Sequence, residues 1–340
     1  MISAKEQDPG TAYEHRVLRV QKEANARGEF YTPREVPLIL NAVIHASIGR
    51  PKSVYDPACG AGSLLSGIDA GSYFGQEINP ETAALCREQV PDIDIAVGDT
   101  LEAPGHRGRK FHAVASNPPY SLKWDPRPDD RFPVLAPRQR ADWAFVQHSL
   151  HHLREDGIAC FILFPGALYR GGREREIRAS LAHRLQSVVR LPANIFLRTS
   201  ISVDLVVMGQ NLGKVLFVDA SGEFEKCPRQ NRVRPEKIID VLTNRREAYL
   251  FSRMVSPEDV DHANWTPPRH VDTTPPQEPV DIRALNEQVR KSHARQKRAM
   301  DMWDEMTAFM EGGPEPDFLG NRQVFRERLE GTARQSETEQ

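Results

Sequence analysis

From about residue 53 to 218, short apolar runs alternate with longer amphipathic stretches, and no other feature constrains the fold as strongly. The runs are "SVYDPACG", "GSYFGQEI", "IDIAVGD", "FHAVASNPP", "GIACFILFP", "QSVVRLP", "SVDLVVMG" and "KVLFVDA". Each has the length of a strand and is bounded by turn residues. Helical spacing falls between them, over residues 80–89, 142–153 and 173–185. Strands alternating with helices pair in parallel through right-handed crossovers, which predicts an α/β, doubly wound, mostly parallel sheet. The last strands have little helix between them, so a mixed sheet edge is expected.

Beyond Asp219 the pattern weakens, and residues 221–264 read as an appended segment. The stretch "WTPPRHVDTTPPQEPV" (265–280) is proline-rich and reads as an extended linker. A helix is expected over 281–311. Its positions 282, 285, 289, 292, 296, 299, 303, 306 and 310 hold Ile, Leu, Val, Ser, Gln, Ala, Trp, Met and Met, a heptad-like seam with a polar middle. That seam can pack on its own domain or on a partner. The polar tail, 312–340, is expected to be disordered.

Bulk properties narrow the function classes. No apolar run approaches the ~20 residues of a membrane span, and the polar start "MISAKEQDPGTAYEHR" lacks the core of a signal peptide. A cytoplasmic protein with no membrane partner is therefore expected. Cys59, Cys86, Cys160 and Cys227 form no CxxC pair, which argues against zinc and fits reduced thiols. The net charge of −2 means that any grip on nucleic acid uses a local patch or a partner.

Chemistry gathers at the strand ends. Asp56-Pro57-Ala58-Cys59-Gly60-Ala61-Gly62 follows the first strand, and its glycines let backbone approach a ligand. They serve a tight strand–helix turn equally well, with Ser63 able to start the next helix. Glu77 ends the next strand, where a doubly wound fold places a carboxylate for ribose hydroxyls. Asp99, in "VGDTL", closes the third strand; it can accept from an adenine amine or simply cap a turn. A glycine turn and three acidic strand ends suit an adenosine-bearing cofactor without a pyrophosphate. Asn117-Pro118-Pro119-Tyr120 ends the fourth strand. Asn117 offers a carbonyl acceptor and an NH₂ donor. The prolines lack N–H groups and stiffen the loop. Tyr120 offers a flat face, and stacking on a base is worth ~1–3 kcal/mol.

The order "GEFYTPREV", "VYDPACGAGSLL", "YFGQEINPETAALCR", "VGDTL", "VASNPPYSLKW", "ILFPGALYRGGREREIR" and "VVRLPANIFLRTSISVDLVVM" resembles the modification subunits of type I restriction–modification systems, over roughly residues 28–271. These are S-adenosylmethionine-dependent N6-adenine DNA methyltransferases. The resemblance implies a seven-stranded class I methyltransferase sheet, with residues 28–220 as the catalytic domain. It places Phe30, Tyr31, Thr32 and Pro33 in a lid over the methionine moiety, although Thr32 and Pro33 also read as a helix N-cap and N1. It places Asp56, Ala58, Gly60, Ala61 and Gly62 at the methionine end, Glu77 at the ribose and Asp99 at the adenine. Asn117, Pro118, Pro119 and Tyr120 become the catalytic motif, with Asn117 also facing the cofactor. The family is expected to carry a longer helical N-terminal domain, so residues 1–27 read as a short form. "SISVDLVV" puts Asp204 where the family more often has a small or hydroxyl residue, with no reason evident from sequence.

Three further stretches carry competing readings. His148, His151 and His152 in "QHSLHH" have no acidic or Cys partner nearby and read as structural, so no metal is expected. Arg170, Arg173, Arg175 and Arg178 surround a Gly-Gly turn and suit either DNA phosphates or a solvated helix start. The proline-rich loop 121–140 follows the catalytic motif and suits a grip on a flipped base or a DNA strand. Together these features imply methyl transfer from S-adenosylmethionine to adenine N6 in DNA. A separate specificity subunit would choose the sequence, and a restriction subunit could complete the system. The same motif also fits a protein glutamine amide or an RNA base amine as acceptor, or a non-catalytic cofactor-binding scaffold.

Overall fold

In the computed structural model, residues 32–196, 200–228, 230–274, 281–314 and 316 are described. They fall into two compact units, divided between Thr274 and Pro275. The first unit is built on one nine-stranded sheet.

The chain enters through helix α1 (Glu35–Ile48), then strand β1 (Val54–Asp56), β2 (Tyr73–Glu77), helix α2 (Pro80–Gln89), β3 (Asp94–Val97) and β4 (Phe111–Ser116). Helix α3 (Asp142–His151), β5 (Leu153–Leu163), α4 (Pro165–Tyr169), α5 (Arg173–Leu181), β6 (Leu185–Arg190), β7 (Asp204–Met208) and β8 (Val215–Asp219) follow. A two-stranded ribbon of β9 (Phe224–Glu225) and β10 (Arg232–Val233), helix α6 (Glu236–Asn244) and β11 (Ser252–Val255) complete the unit. Across the sheet the order is β11-β8-β6-β7-β5-β4-β1-β2-β3.

The seven strands from β6 to β3 form the expected core, and β8 and β11 extend it to nine. Every apolar run read as a strand forms one. The antiparallel pairing differs in place from the expectation. β7 runs antiparallel between β5 and β6, inside the sheet, while β11 runs antiparallel to β8 at the edge. β11 comes from residues 221–264, the segment read as appended to and closing the catalytic domain.

Three local expectations are corrected. No α-helix follows the glycine turn; only a 3-10 turn, Leu65–Gly67, forms there. Helices α3 and α5 end earlier than the spacing suggested, because Leu153 and Leu185 are already the first residues of β5 and β6. Residues 265–271 are packed rather than extended as a linker: Trp265 is fully buried and its N–H donates to the Leu168 carbonyl at 2.9 Å. The indole ring meets Trp143 edge-on, which explains why apolar burial holds this proline-rich stretch down. Residues 1–27 and 275–280 and most of the tail lie outside the described residues.

Period-two alternation sends successive strand residues to opposite faces. Val54, Cys160 and Leu205 join α1 and α6 on one side, with Ile39, Leu40, Ile44 and Ile238. Tyr55, Phe161 and Val206 join α3 and α4 on the other, with Trp143, Val146 and Leu168. Strand order reverses at β1, whose neighbours are β2 and β4. The ends of β1 and β4 therefore flank the topological switch point, where an open α/β sheet leaves its ligand crevice.

The second unit contains helix α7 (Ile282–Met310), capped by Asp281, whose side chain accepts from the Arg283 and Ala284 N–H groups. None of its residues is buried.

Candidate active site

β1 is buried throughout, and the chain leaves it in a turn held by its own carboxylate: Asp56 Oδ1 accepts the Ala58 N–H at 3.0 Å. The Cys59 N–H donates to the Gln76 carbonyl at 3.0 Å, keeping the turn against β2. Gly60 and Gly62 take φ of +53° and +86°, the left-handed region that favours glycine. At Gly62 a Cβ would lie 2.9 Å from Cys86 Sγ and Val90 Cγ2, because the end of α2 packs directly onto the turn. Around Gly60 nothing among the described residues lies within 4 Å of that position. Gly62 thus closes the turn against the protein, while Gly60, flanked by half-buried Ala58 and Ala61, leaves its other side open.

Glu77 locks this turn to the end of β2. Its Oε2 accepts the Gly60 N–H at 3.0 Å and its Oε1 the Asn79 N–H at 2.9 Å. Asp56 and Glu77 are both buried. Burial raises the Asp56 pKa from its ordinary 3.8 to about 7; the Glu77 charge adds to the rise, and the Ala58 N–H opposes it. Among the described residues no cationic side chain forms an ion pair with Asp56.

Asp99 caps its own turn, accepting the Leu101 N–H at 2.8 Å and the Glu102 N–H at 3.2 Å. The turn-capping reading of Asp99 is therefore realised, and its side chain remains half-buried at the strand ends. The Thr100 hydroxyl donates to the Pro57 carbonyl at 2.5 Å, which ties the Asp99 turn to the glycine turn.

Asn117 follows β4 directly. Its Nδ2 donates to the Thr32 hydroxyl oxygen at 3.3 Å, and its Oδ1 accepts the Tyr120 hydroxyl at 2.6 Å. Both ends of the amide are thereby oriented. Thr32 does not cap a helix as its sequence context suggested: α1 starts only at Glu35, behind Arg34, with no side-chain cap. Its hydroxyl oxygen instead accepts from Asn117, just past the β4 end. Phe30 and Tyr31 lie outside the described residues. Pro118 is buried, Pro119 and Tyr120 are half-buried, and the Tyr120 ring packs against the core on the α1 side. Burial pushes the Tyr120 hydroxyl well above its usual pKa, with the Asp142 carboxylate adding to the effect. The next residue, Ser121, sits at φ +52° and donates its N–H to Asp142 Oδ1 at 3.3 Å. A non-glycine residue there signals a backbone held by its surroundings.

A family model for N-6 DNA methylases matches residues 5–278. The chain belongs to the N-6 DNA methylase family. It is 33% identical over 332 residues to a type I restriction enzyme methylase subunit, MpnII, of Mycoplasma pneumoniae, covering 85% of this chain and 61% of that protein. It is 30% identical to the MjaVII methylase subunit of Methanocaldococcus jannaschii, covering 89% of this chain and 59% of that one. The crystal structure of a type I restriction–modification methyltransferase subunit from Streptococcus thermophilus superposes with a TM-score of 0.67 at 34% identity, over 72% of this chain and 60% of that chain. The chain thus spans about six tenths of the length of these relatives.

Several side chains in this chain have roles that sequence reasoning missed. Asp204 is fully buried at the start of β7 and pairs with Arg190 across the β6–β7 ladder, at 2.5 and 3.1 Å. Burial raises its pKa to about 6 against the Arg190 guanidinium, which lowers it. A cross-strand ion pair is thus the reason for an acidic residue there. Arg178 is not available to DNA: it is buried and donates to the carbonyls of Ala167, Arg170, His262 and Ala263. Arg173 remains exposed, paired with Glu176. His148 bridges Tyr55 and Arg131, and His152 Nδ1 meets the Arg109 carbonyl at 3.0 Å. Among the described residues no His, Cys, Asp and Glu cluster could hold a metal, and no helix is long and apolar enough to cross a membrane.

Proposed function

We propose that the chain transfers a methyl group from S-adenosylmethionine to adenine N6 in DNA, as a modification subunit whose sequence choice comes from a specificity subunit. The observation that carries the reading is the Asn117 amide, oriented at both ends by Thr32 and Tyr120 at the switch point, beside the carboxylate-backed glycine turn. Membership of the N-6 DNA methylase family supports it. So do the names of the relatives, each called a methylase subunit of a restriction enzyme.

The residues present suit the cofactor. Buried, unneutralised Asp56 suits the cationic methionine end, the open side of Gly60 gives a close approach, and Glu77 and Asp99 suit the ribose and the adenine. S-adenosylmethionine supplies an electrophilic methyl carbon on its sulfonium. The target adenine lies hidden in the duplex and must leave the stack, at a cost of a few kcal/mol. Tyr120 receives it by stacking, while Asn117 Oδ1 and the Pro118 carbonyl accept from its amine and aim the nitrogen. With the cofactor held there, the aimed nitrogen lone pair would take the methyl carbon, the C–S bond would break and sulfur would keep the electron pair. The surplus proton on nitrogen then passes to solvent. Fixed carbonyl dipoles stabilise the positive charge developing on nitrogen, so the residues act by positioning and electrostatics.

Labelled methyl transfer to DNA, RNA and protein acceptors, assayed side by side, tests the substrate. The reading expects label in DNA. Label confined to a protein amide or an RNA amine would replace DNA as acceptor, and turnover of none would leave a cofactor-binding scaffold.

A further inference from the structure

Residues 121–140, between Tyr120 and α3, form a closed loop rather than an open arm. The Trp124 N–H donates to the Arg138 carbonyl at 3.0 Å, its indole N–H to the Pro137 carbonyl at 3.1 Å, and the Ala141 N–H to the Leu122 carbonyl at 2.9 Å. Trp124 meets Phe132 edge-on within it. From this loop Arg131 reaches into the interior beside Phe132, and each is 6% exposed.

Its guanidinium uses every donor it has. Nε and one Nη2 hydrogen grip Asp129 in a fork, each at 2.9 Å. The other Nη2 hydrogen goes to the Leu101 carbonyl at 2.7 Å. Nη1 donates to the Thr100 carbonyl and to His148 Nδ1, both at 3.0 Å. Since arginine can only donate, His148 Nδ1 is an acceptor here, and its Nε2–H meets the Tyr55 hydroxyl on β1 at 3.0 Å. Thr100 and Leu101 are themselves part of the turn that Asp99 caps. Asp99 secures that turn through its N–H groups, the Thr100 hydroxyl secures it to Pro57, and Arg131 secures it through its carbonyls.

We infer that Arg131 is a positioning residue that clamps the adenine end of the cofactor cleft to the loop following the catalytic tetrapeptide. The cofactor side and the acceptor side of the site are otherwise built from different strand ends, and one planar fork fastens both. A lysine cannot substitute, because one ammonium with three donors cannot reach acceptors on the loop, the Asp99 turn and α3 together. The inference rests on the proposed function only for what the cleft holds.

The test compares wild type with Arg131→Lys by thermal melting, S-adenosylmethionine binding, amide hydrogen exchange and steady-state methyl transfer. The expected result is a cooperative melt, roughly tenfold weaker cofactor binding from losing charge-assisted bonds, and faster exchange confined to residues 99–102 and 121–140. In turnover the KM for cofactor rises more than kcat falls, a split that general destabilisation does not produce. Wild-type affinity and wild-type exchange in Arg131→Lys would overturn the inference. Should that variant fail to melt cooperatively, Asp129→Ala decides in the same way. Its side chain is 37% exposed, so its loss frees the fork without opening the core. Exchange is read on the free chain, so it judges the clamp even if methyl transfer to DNA is not found.

Discussion

At the scale of single residues, the candidate site depends on side chains that spend their hydrogen bonds on backbone. Asp56, Glu77 and Asp99 each accept an N–H of their own or a neighbouring turn before any ligand arrives. Asp56 has a measurable consequence. Its pKa is about 7 in the folded chain against 3.8 ordinarily, so the folded state favours its neutral form. Its contribution to stability is therefore fully present below about pH 3.8 and is lost as pH rises through about 7. Cofactor binding is expected to run the opposite way, because in the proposed function the cationic methionine end pairs with the carboxylate. Affinity is expected to fall by about tenfold per unit as pH drops below about 7 and to be flat above it. Calorimetric titration across pH checks this, and Asp56→Asn is expected to bind weakly at every pH.

The residue scale also separates what sequence could disclose from what it could not. Asp56, Glu77, Asp99 and Asn117 were legible because each ends an apolar run, and the fold puts such ends at the crevice. The partner of the Thr32 hydroxyl was not, since Asn117 is 85 residues away and a local capping role looked complete. Arg131 was equally hidden. In "SLKWDPRPDDRFPVLAPRQR" it resembles Arg127, Arg138 and Arg140, and only packing buries one of the four.

Among elements, β6 and β7 show how burial and pairing oppose each other. Arg190 and Asp204 face one another where the two strands meet antiparallel, and Asp204 has no exposure to solvent. Removing one partner of such a pair costs about 3–5 kcal/mol, because it strands the other charge. Arg190→Ala is therefore expected to destabilise the chain by about that amount in urea titration. Arg190→Leu combined with Asp204→Leu is expected to recover most of it, since neither charge is left unpaired. Element boundaries follow the same logic of burial. Most of the apolar runs were readable as strands because burial on both faces leaves long apolar sequences, although the edge strand β3 is only partly buried. β11 escaped notice: "SRMV" is half polar, and its place is set by pairing with β8 from Ser252 to Val255. The fate of residues 265–271 was masked by prolines, whose turn signal hid the burial of Trp265.

For the whole molecule, the division at Thr274 places helix α7 outside the unit that holds the candidate site. Its seam of Ile282, Leu285, Val289, Trp303, Met306 and Met310 is exposed throughout. A chain ending at Thr274 is expected to melt within about 2 °C of the full chain, because none of the described residues it removes is buried. It should also bind S-adenosylmethionine unchanged. A large drop in melting temperature would mean that α7 supports the sheet. The net charge of −2 fits the view that sequence choice and much of the DNA grip come from a partner.

The account turns on Asn117. The most direct measurement is transfer of labelled methyl to DNA by the wild type and by Asn117→Ala, with the product base identified and cofactor binding measured on both. The account predicts N6-methyladenine from the wild type, no transfer from Asn117→Ala and near-normal cofactor affinity in both. Transfer by Asn117→Ala at the wild-type rate, or a methylated base other than N6-methyladenine, would contradict it.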